Sequence, residues 1–189
     1  VLERAVSDGL EIARFTAEQF EAARNLNAFG DRRVELLDGY VVDMGGQYIP
    51  HGWVKRELFL AFRTALLNAG SDLTVDTEFA VRVSEWNEPV PDLIVWDAVR
   101  LRGPVPLDRA RLVAEISDSS LRYDMGRKVQ LYAQAGIAEY WVVDVARRTI
   151  RQHWSADNGS YRQHDDFHFG EFITSPTLPG VIVSTLDLD

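Results

Sequence analysis

Hydrophobic and polar positions change period several times along the chain, and each change marks an element. Phe15-Thr16-Ala17-Glu18-Gln19-Phe20 carries a helix start: Thr16 as N-cap, Gln19 closing a capping box, and Phe15 with Phe20 as a hydrophobic staple. That helix is predicted to run to about Asn27. In RVELLDGYVVDM, Asp38-Gly39 separates two β-rich runs and predicts a two-residue hairpin turn. Over residues 52–69, Val54, Leu58, Ala61, Phe62, Ala65 and Leu66 recur at helical spacing, with Gly70 placed to end the helix. Val75, Thr77, Phe79, Val81 and Val83 alternate with period two and predict one strand over 75–83.

After the polar turn at 84–89, PDLIVWD (91–97) reads as a short strand and the Gly- and Pro-punctuated 100–108 as a loop. RLVAEIS (111–117) is almost continuously apolar, which predicts a central strand buried on both faces. A helix follows over 121–135, ended by Gly136, then a strand over 139–145. TIRQHW, Asn158-Gly159, SYRQH and a Pro- and Gly-punctuated tail read as a β meander. No repeat, low-complexity tract or linker interrupts this order. It predicts one α/β (α+β) domain over 1–189: a mixed sheet with helices layered on it, an N-terminal helix and hairpin, and a C-terminal meander.

Composition narrows the chemistry. At 189 residues the chain can bury a core without a staple, and the lack of cysteine excludes disulfides, thiolate catalysis and Cys-ligated metals. Twenty basic against 29 acidic side chains give a net charge of −9, the opposite of a protein that coats duplex nucleic acid. Any nucleic-acid contact must therefore be local, and the surplus carboxylates are compatible with divalent cations. No apolar run reaches the length of about 18 residues that a membrane span needs, and VLERAVSDGLEIARF has no signal-peptide pattern. A soluble, cytoplasmic protein with no membrane partner is expected.

The helix over 121–135 holds the first chemical anomaly. At about 100° per residue, Lys128 falls within about 20° of Leu121 and about 40° of Tyr132, inside the apolar stripe. A lysine there either snorkels to water or meets carboxylates beneath it. Two candidates exist: Glu115 interrupts the apolar LVAEI, and Asp92 follows Pro91 at the start of another strand. A carboxylate in a central strand costs several kcal/mol unless paired or bound to a metal. Two of them with an in-stripe lysine form either a structural ion-pair set or a seat for a hard divalent cation beside a positioned ammonium.

Other features carry less. Asp124 can pair with Lys128 one turn on or cap the helix, and the structural role is expected. Tyr132 reads as core packing, and Tyr140 and Trp141 as core or interface. Gly45-Gly46 lacks the G-K-[ST] of a phosphate loop, and His153, His164 and His168 lack metal-ligand spacing. Ser117, Ser119 and Ser120 lack a G-x-S-x-G context.

Pro91-Asp92 followed by Glu115-Ile116-Ser117 resembles the PD-(D/E)XK nuclease superfamily, with Ser117 where the motif lysine is expected and Lys128 as a lysine relocated to the following helix. VELLDGYVVDM, His51 before a helix, PDLIVWD, VAEISDSS and DMGRKVQLYAQAGIAEYWVVD together resemble the Uma-type family of restriction-endonuclease-like proteins, over about residues 15–155. The resemblance implies a restriction-endonuclease-like core over 15–155 with a β extension over 156–189, and a magnesium or manganese site. It makes Asp92, Glu115 and the Ile116 carbonyl the metal ligands, Lys128 the catalytic lysine, Glu35 a further acidic position at the metal, and His51 a substrate contact. It implies a metal-dependent endonuclease acting on DNA, working as a homodimer. Two alternatives stay open: an inactive interaction or regulatory module that retains the fold, and a two-carboxylate hydrolase of another substrate, which needs no lysine.

Overall fold

The computed structural model describes residues 13–188, so most of the N-terminal stretch inspected for a leader lies outside the described residues. Helix α1 (Ala17–Asn25) begins with the predicted capping box: the Gln19 amide donates to Thr16 Oγ1 at 3.2 Å and the Thr16 amide to Gln19 Oε1 at 3.0 Å. Strands β1 (Val34–Leu37) and β2 (Tyr40–Asp43) form the predicted hairpin. Asp38 and Gly39 both take positive φ, 52° and 80°, as a type I′ turn demands. Gly39 is needed twice over, since a Cβ there would lie 2.7 Å from the Arg14 Cβ.

Helix α2 (Ile49–Asn68) starts three residues before the predicted 52, because Pro50 is well tolerated in a first turn. It ends as expected: Gly70 (φ 64°) donates to the Leu67 carbonyl and Ser71 to the Leu66 carbonyl, a Schellman closure.

The run 75–83 is not one strand. Strand β3 (Thr74–Thr77) stops at Glu78, whose φ of 58° turns the chain, and a separate β4 (Val81–Arg82) follows. The break moves the apolar side chains across the sheet. Val75 packs with α2, whereas Val81 and Val83 pack on the opposite face with Tyr132 and Tyr140. Strand β5 (Leu93–Trp96) comes next; then the predicted loop 100–108 contains β6 (Val105–Pro106), which pairs with β4, and opens into a 3₁₀ turn, Leu107–Arg109.

Strand β7 (Ala110–Ser117) is central as predicted. Leu112, Ala114 and Ile116 enter the core under α2, and Val113 enters the core on the other face. The helix over 121–135 is divided: α3 (Leu121–Tyr123), a π-helical turn (Asp124–Lys128), then α4 (Val129–Gln134). Strands β8 (Glu139–Asp144), β9 (Thr149–Asp157) and β10 (Ser160–His168) complete a six-stranded sheet of order β10-β9-β8-β7-β5-β3. Within this sheet β7 and β8 run parallel and the other pairs antiparallel, so the sheet is mixed. A last hairpin, β11 (Phe172–Thr174) with β12 (Ile182–Ser184), packs against α2. Among the described residues no helix is long and apolar enough to cross a membrane.

His153 on β9 lies in an aromatic group with Tyr140, Tyr161 and His164, and its Nε2 is buried without a partner among the described residues. Burial, with His164 and Arg151 adding to it, pushes its pKa down to about 4. Between the ordinary histidine value and pH 4 the unfolded chain therefore takes up a proton that the folded chain refuses. Stability is expected to fall as pH drops through that window, by about 3 kcal/mol in total from this group. Urea unfolding at pH 7 and pH 4.5 measures it: His153→Phe should flatten the dependence, and an unchanged slope would refute the assignment.

Candidate active site

The sheet's register creates the site. Leu93 of β5 faces Ala114 of β7, so one step further puts Asp92 opposite Glu115 and two steps put Pro91 opposite Ile116. Proline has no N–H, so the Ile116 carbonyl loses the donor a ladder would give it. The Ile116 amide donates instead to Asp92 Oδ2 at 2.8 Å. Because N–H and C=O of one strand residue point the same way, the Ile116 carbonyl is turned toward this same end of the sheet.

Lys128 arrives from the other side on the π turn, a local widening of the helix that is frequent at functional sites. The Tyr140 hydroxyl donates to the Asp124 carbonyl at 3.1 Å at the start of that turn. Lys128 Nζ donates to Glu115 Oε1 at 2.9 Å and lies 3.7 Å from Glu35 Oε1 and 3.9 Å from Asp124 Oδ1. The lysine does not snorkel: its side chain is 7% exposed. The Tyr132 hydroxyl donates to the same Glu115 oxygen at 2.8 Å. Glu35 Oε2 accepts the Val90 amide at 3.1 Å, and Asp124 Oδ2 accepts the hydroxyls of Ser117, at 2.8 Å, and Ser120.

The first turns of α2 supply the opposite wall. His51 Nε2 is 2.9 Å from Asp92 Oδ1, and Lys55 Nζ is 3.9 Å from the same oxygen. Lys55 also donates to Glu78 Oε1 at 2.5 Å, where Gln47 Nε2 adds a bond at 2.6 Å. The six residues singled out in the sequence thus lie in one connected network. Glu35, Glu115 and Lys128 meet directly, while Asp92 joins through the Ile116 amide and His51. Asp124, expected to be structural, caps Ser117 and Ser120 and faces Lys128 as well.

Electrostatics follow from this crowding. Burial pushes the Glu115 pKa well up, with Asp124, Asp92 and Glu35 adding to the effect and Lys128 opposing it. Burial works against the Lys128 ammonium, but Glu115, Glu35 and Asp124 outweigh it and hold its pKa above the ordinary lysine value. Lys128 is therefore a fixed cation at neutral pH. Burial and Glu115 also raise Tyr132, which stays a hydrogen-bond donor. Burial and then Glu35 push Tyr123 up to about 12, and its hydroxyl is buried without a partner among the described residues.

Sequence reasoning passed over Lys55, Glu78 and Tyr123; it placed Tyr132 in the core, where the structure buries it, but did not foresee its hydroxyl on Glu115. The available signal was spacing: Lys55 lies one helical turn after His51, and Tyr132 one turn after Lys128. His153 and His164 belong to an aromatic group that adjoins this network only through Tyr140, and a Cβ on Gly45 or Gly46 would meet nothing within 4 Å.

With the geometry established, comparison with known proteins adds a lineage. No curated protein matches the chain. Among solved structures, one described as a putative nuclease belonging to DUF820, from Anabaena variabilis, superimposes with a TM-score of 0.67 over 92% of this chain and 97% of its own, at 12% identity. That likeness establishes a shared fold. The Uma2 family, described as "Putative restriction endonuclease", matches residues 17–188, and the chain belongs to that family.

Proposed function

We propose that the protein is a metal-dependent endonuclease that hydrolyses DNA phosphodiester bonds at the Asp92, Glu115 and Lys128 network. The observation that carries this reading is a charge imbalance: Glu35, Glu115 and Asp124 surround one buried ammonium, with Asp92 adjoining. A fold does not gather carboxylates around too few cations without cost, and a divalent ion relieves that cost. Among the described residues no three His, Cys, Asp or Glu side chains gather closely enough to hold an ion by themselves. The donor set instead fits a hard ion held by two carboxylates, Asp92 and Glu115, with the Ile116 carbonyl and water completing its shell. Glu35 would reach it from the hairpin.

A bound magnesium or manganese ion would supply Lewis-acid polarisation of the phosphate and a more acidic water. The chain's residues do the rest. Lys128, held protonated, is no general base; it orients the attacking water and offsets charge gathering on the phosphate oxygens. Tyr132 and Lys128 fix the Glu115 carboxylate from one side, and the Ile116 amide and His51 fix Asp92 from two others, so both ligands are oriented before the substrate arrives. Dimerisation, which would present two such sites to two strands, belongs to this reading and is read by light scattering.

The test is cleavage of single-stranded and duplex DNA with Mg²⁺ or Mn²⁺ and with EDTA, beside Lys128→Ala. Cleavage that needs metal and Lys128 is expected; no cleavage of either substrate would favour the inactive module. A second measurement does not depend on turnover. Mg²⁺ at about 100 times its dissociation constant should stabilise the fold by about 2.7 kcal/mol, and Asp92→Asn should remove that gain. A thermal midpoint indifferent to metal in the wild-type protein would refute the metal site.

A further inference from the structure

Three large apolar side chains stand in water on the turn that delivers His51 and Lys55 to Asp92. Tyr48 is 74% exposed, Ile49 86% and Trp53 50%. Isolated exposed apolar residues are ordinary, but a group of them beside a functional site marks a contact surface. Arg56 stacks over one face of the Trp53 ring, 4.2 Å from its centroid, which leaves the other face open beside a cation.

A tract of arginines adjoins this turn. Glu78, which binds Gln47 and Lys55, lines two neighbouring clefts of about 300 and 900 Å³. The first also holds Arg32, Arg33 and Val90, whose amide binds Glu35; the second holds Arg100, Arg102 and the exposed Phe79. Arg24 lines both. Arg33 is paired with Glu78 at 2.9 Å, but among the described residues Arg32, Arg100 and Arg102 form no ion pair. In a chain of net charge −9 this is a local concentration of arginines leading to the site; Arg24 is held by Glu88 and Arg32 Nε by the Phe29 carbonyl, and Glu21 and Glu88 share the second cleft, so Arg100 and Arg102 are the cations left for phosphate.

From this arrangement we propose that the site takes single-stranded DNA, its backbone following the arginine tract and its unstacked bases resting on Tyr48 and Trp53. The proposal rests on the endonuclease reading for its chemistry, not for its binding surface. A duplex keeps its base faces stacked inside, so exposed aromatic rings find no partner on it. Its dense phosphate charge is also repelled by an acidic protein that has only a short basic tract. A single strand offers a free face on every base, and stacking with a few local phosphate contacts is the usual way such strands are held.

Fluorescence anisotropy tests this with a labelled oligothymidine of about 12 nucleotides, comparable to the few to about 16 nucleotides that one binding module covers, against a duplex of equal length. Each is measured in EDTA and in Ca²⁺, with Tyr48→Ala, Trp53→Ala and Tyr48→Phe variants checked by circular dichroism. The single strand is expected to bind at least about tenfold more tightly than the duplex, and each alanine variant to lose about tenfold, with Tyr48→Phe retaining the affinity. Equal or tighter duplex binding, wild-type affinity in both alanine variants, or no binding in either buffer would overturn the proposal. So would a dimer that Tyr48→Ala and Trp53→Ala dissociate while oligonucleotide affinity stays unchanged, since the patch would then join two copies. Specific binding without cleavage in Mg²⁺ or Mn²⁺ would leave this surface standing and remove the endonuclease reading instead.

Discussion

Lys128→Met is expected to lower DNA cleavage by about 10³-fold or more, the scale on which removal of a preorganised charge from a reacting centre is felt. Methionine keeps an unbranched apolar stem of nearly the same length and lacks the ammonium, so the change removes the charge with little change of shape. Stability should fall too. Breaking a buried ion pair by deleting one member costs about 3–5 kcal/mol, and here Glu115, Glu35 and Asp124 would all lose the cation they face. The two effects separate in a double variant. Adding Glu115→Gln removes the carboxylate closest to the lost ammonium and lets Tyr132 keep an oxygen to donate to, so much of the stability should return. Activity should not return. Urea unfolding and cleavage of single-stranded and duplex DNA on the same preparations, below the unfolding transition of the least stable variant, give both readings. Full cleavage by Lys128→Met would remove the lysine from the mechanism, and equal instability of the single and double variants would mean that the ammonium was not balancing Glu115.

Why this lysine could be found in the sequence, and its neighbours less so, is a matter of which physical signal survives without coordinates. A charge inside an apolar stripe breaks a local pattern, so Lys128 announces itself, and so does Glu115 inside LVAEI. The hairpins and helix ends were legible for the same reason. Asp38-Gly39 and Asn158-Gly159 take the positive φ that their residue types favour, and Gly70 and Gly136 close helices. The break at Glu78 was not legible, because glutamate is no left-handed residue by preference. Its conformation is set by context, with its amide on the Asp92 carbonyl and its carboxylate on Lys55. The π turn was hidden similarly: a wheel drawn at 3.6 residues per turn still places Lys128 and Asp124 inward, but puts Tyr123 outward, whereas its hydroxyl is buried. Pro91 shows the converse. Its meaning is invisible until register is known, and then the missing N–H falls on the ladder position opposite Ile116 when the β5–β7 register is continued by two residues.

Glu139→Ala is expected to be the most destabilising single change away from the site, costing about 4 kcal/mol or more as its buried donors are left unmet. Glu139 opens β8 at 0% exposure, and all its hydrogen-bond donors are neutral. Oε1 accepts Trp141 Nε1 at 2.6 Å and Gln152 Nε2 at 2.7 Å; Oε2 accepts the hydroxyls of Ser175 at 2.5 Å and Thr177 at 2.6 Å. Four donors match the lone-pair capacity of one carboxylate. In the sequence the residue is only the first of the strand predicted over 139–145, since nothing local marks partners 36 and 38 positions away. Its consequence is to tie the segment after β11 to the central sheet. Glu139→Gln should cost less but not nothing. Its amide nitrogen must find acceptors where it now faces hydroxyls, and Ser175 Oγ already accepts the Thr177 and Leu178 amides. Thr177 can still turn to accept. An intermediate loss of about 1–3 kcal/mol is therefore expected for the glutamine variant. Urea midpoints order the three proteins, and hydrogen exchange should show protection lost first in β11, β12 and the chain between them. If Glu139→Ala unfolds at the wild-type midpoint, the carboxylate is not what holds the C-terminal hairpin to the sheet.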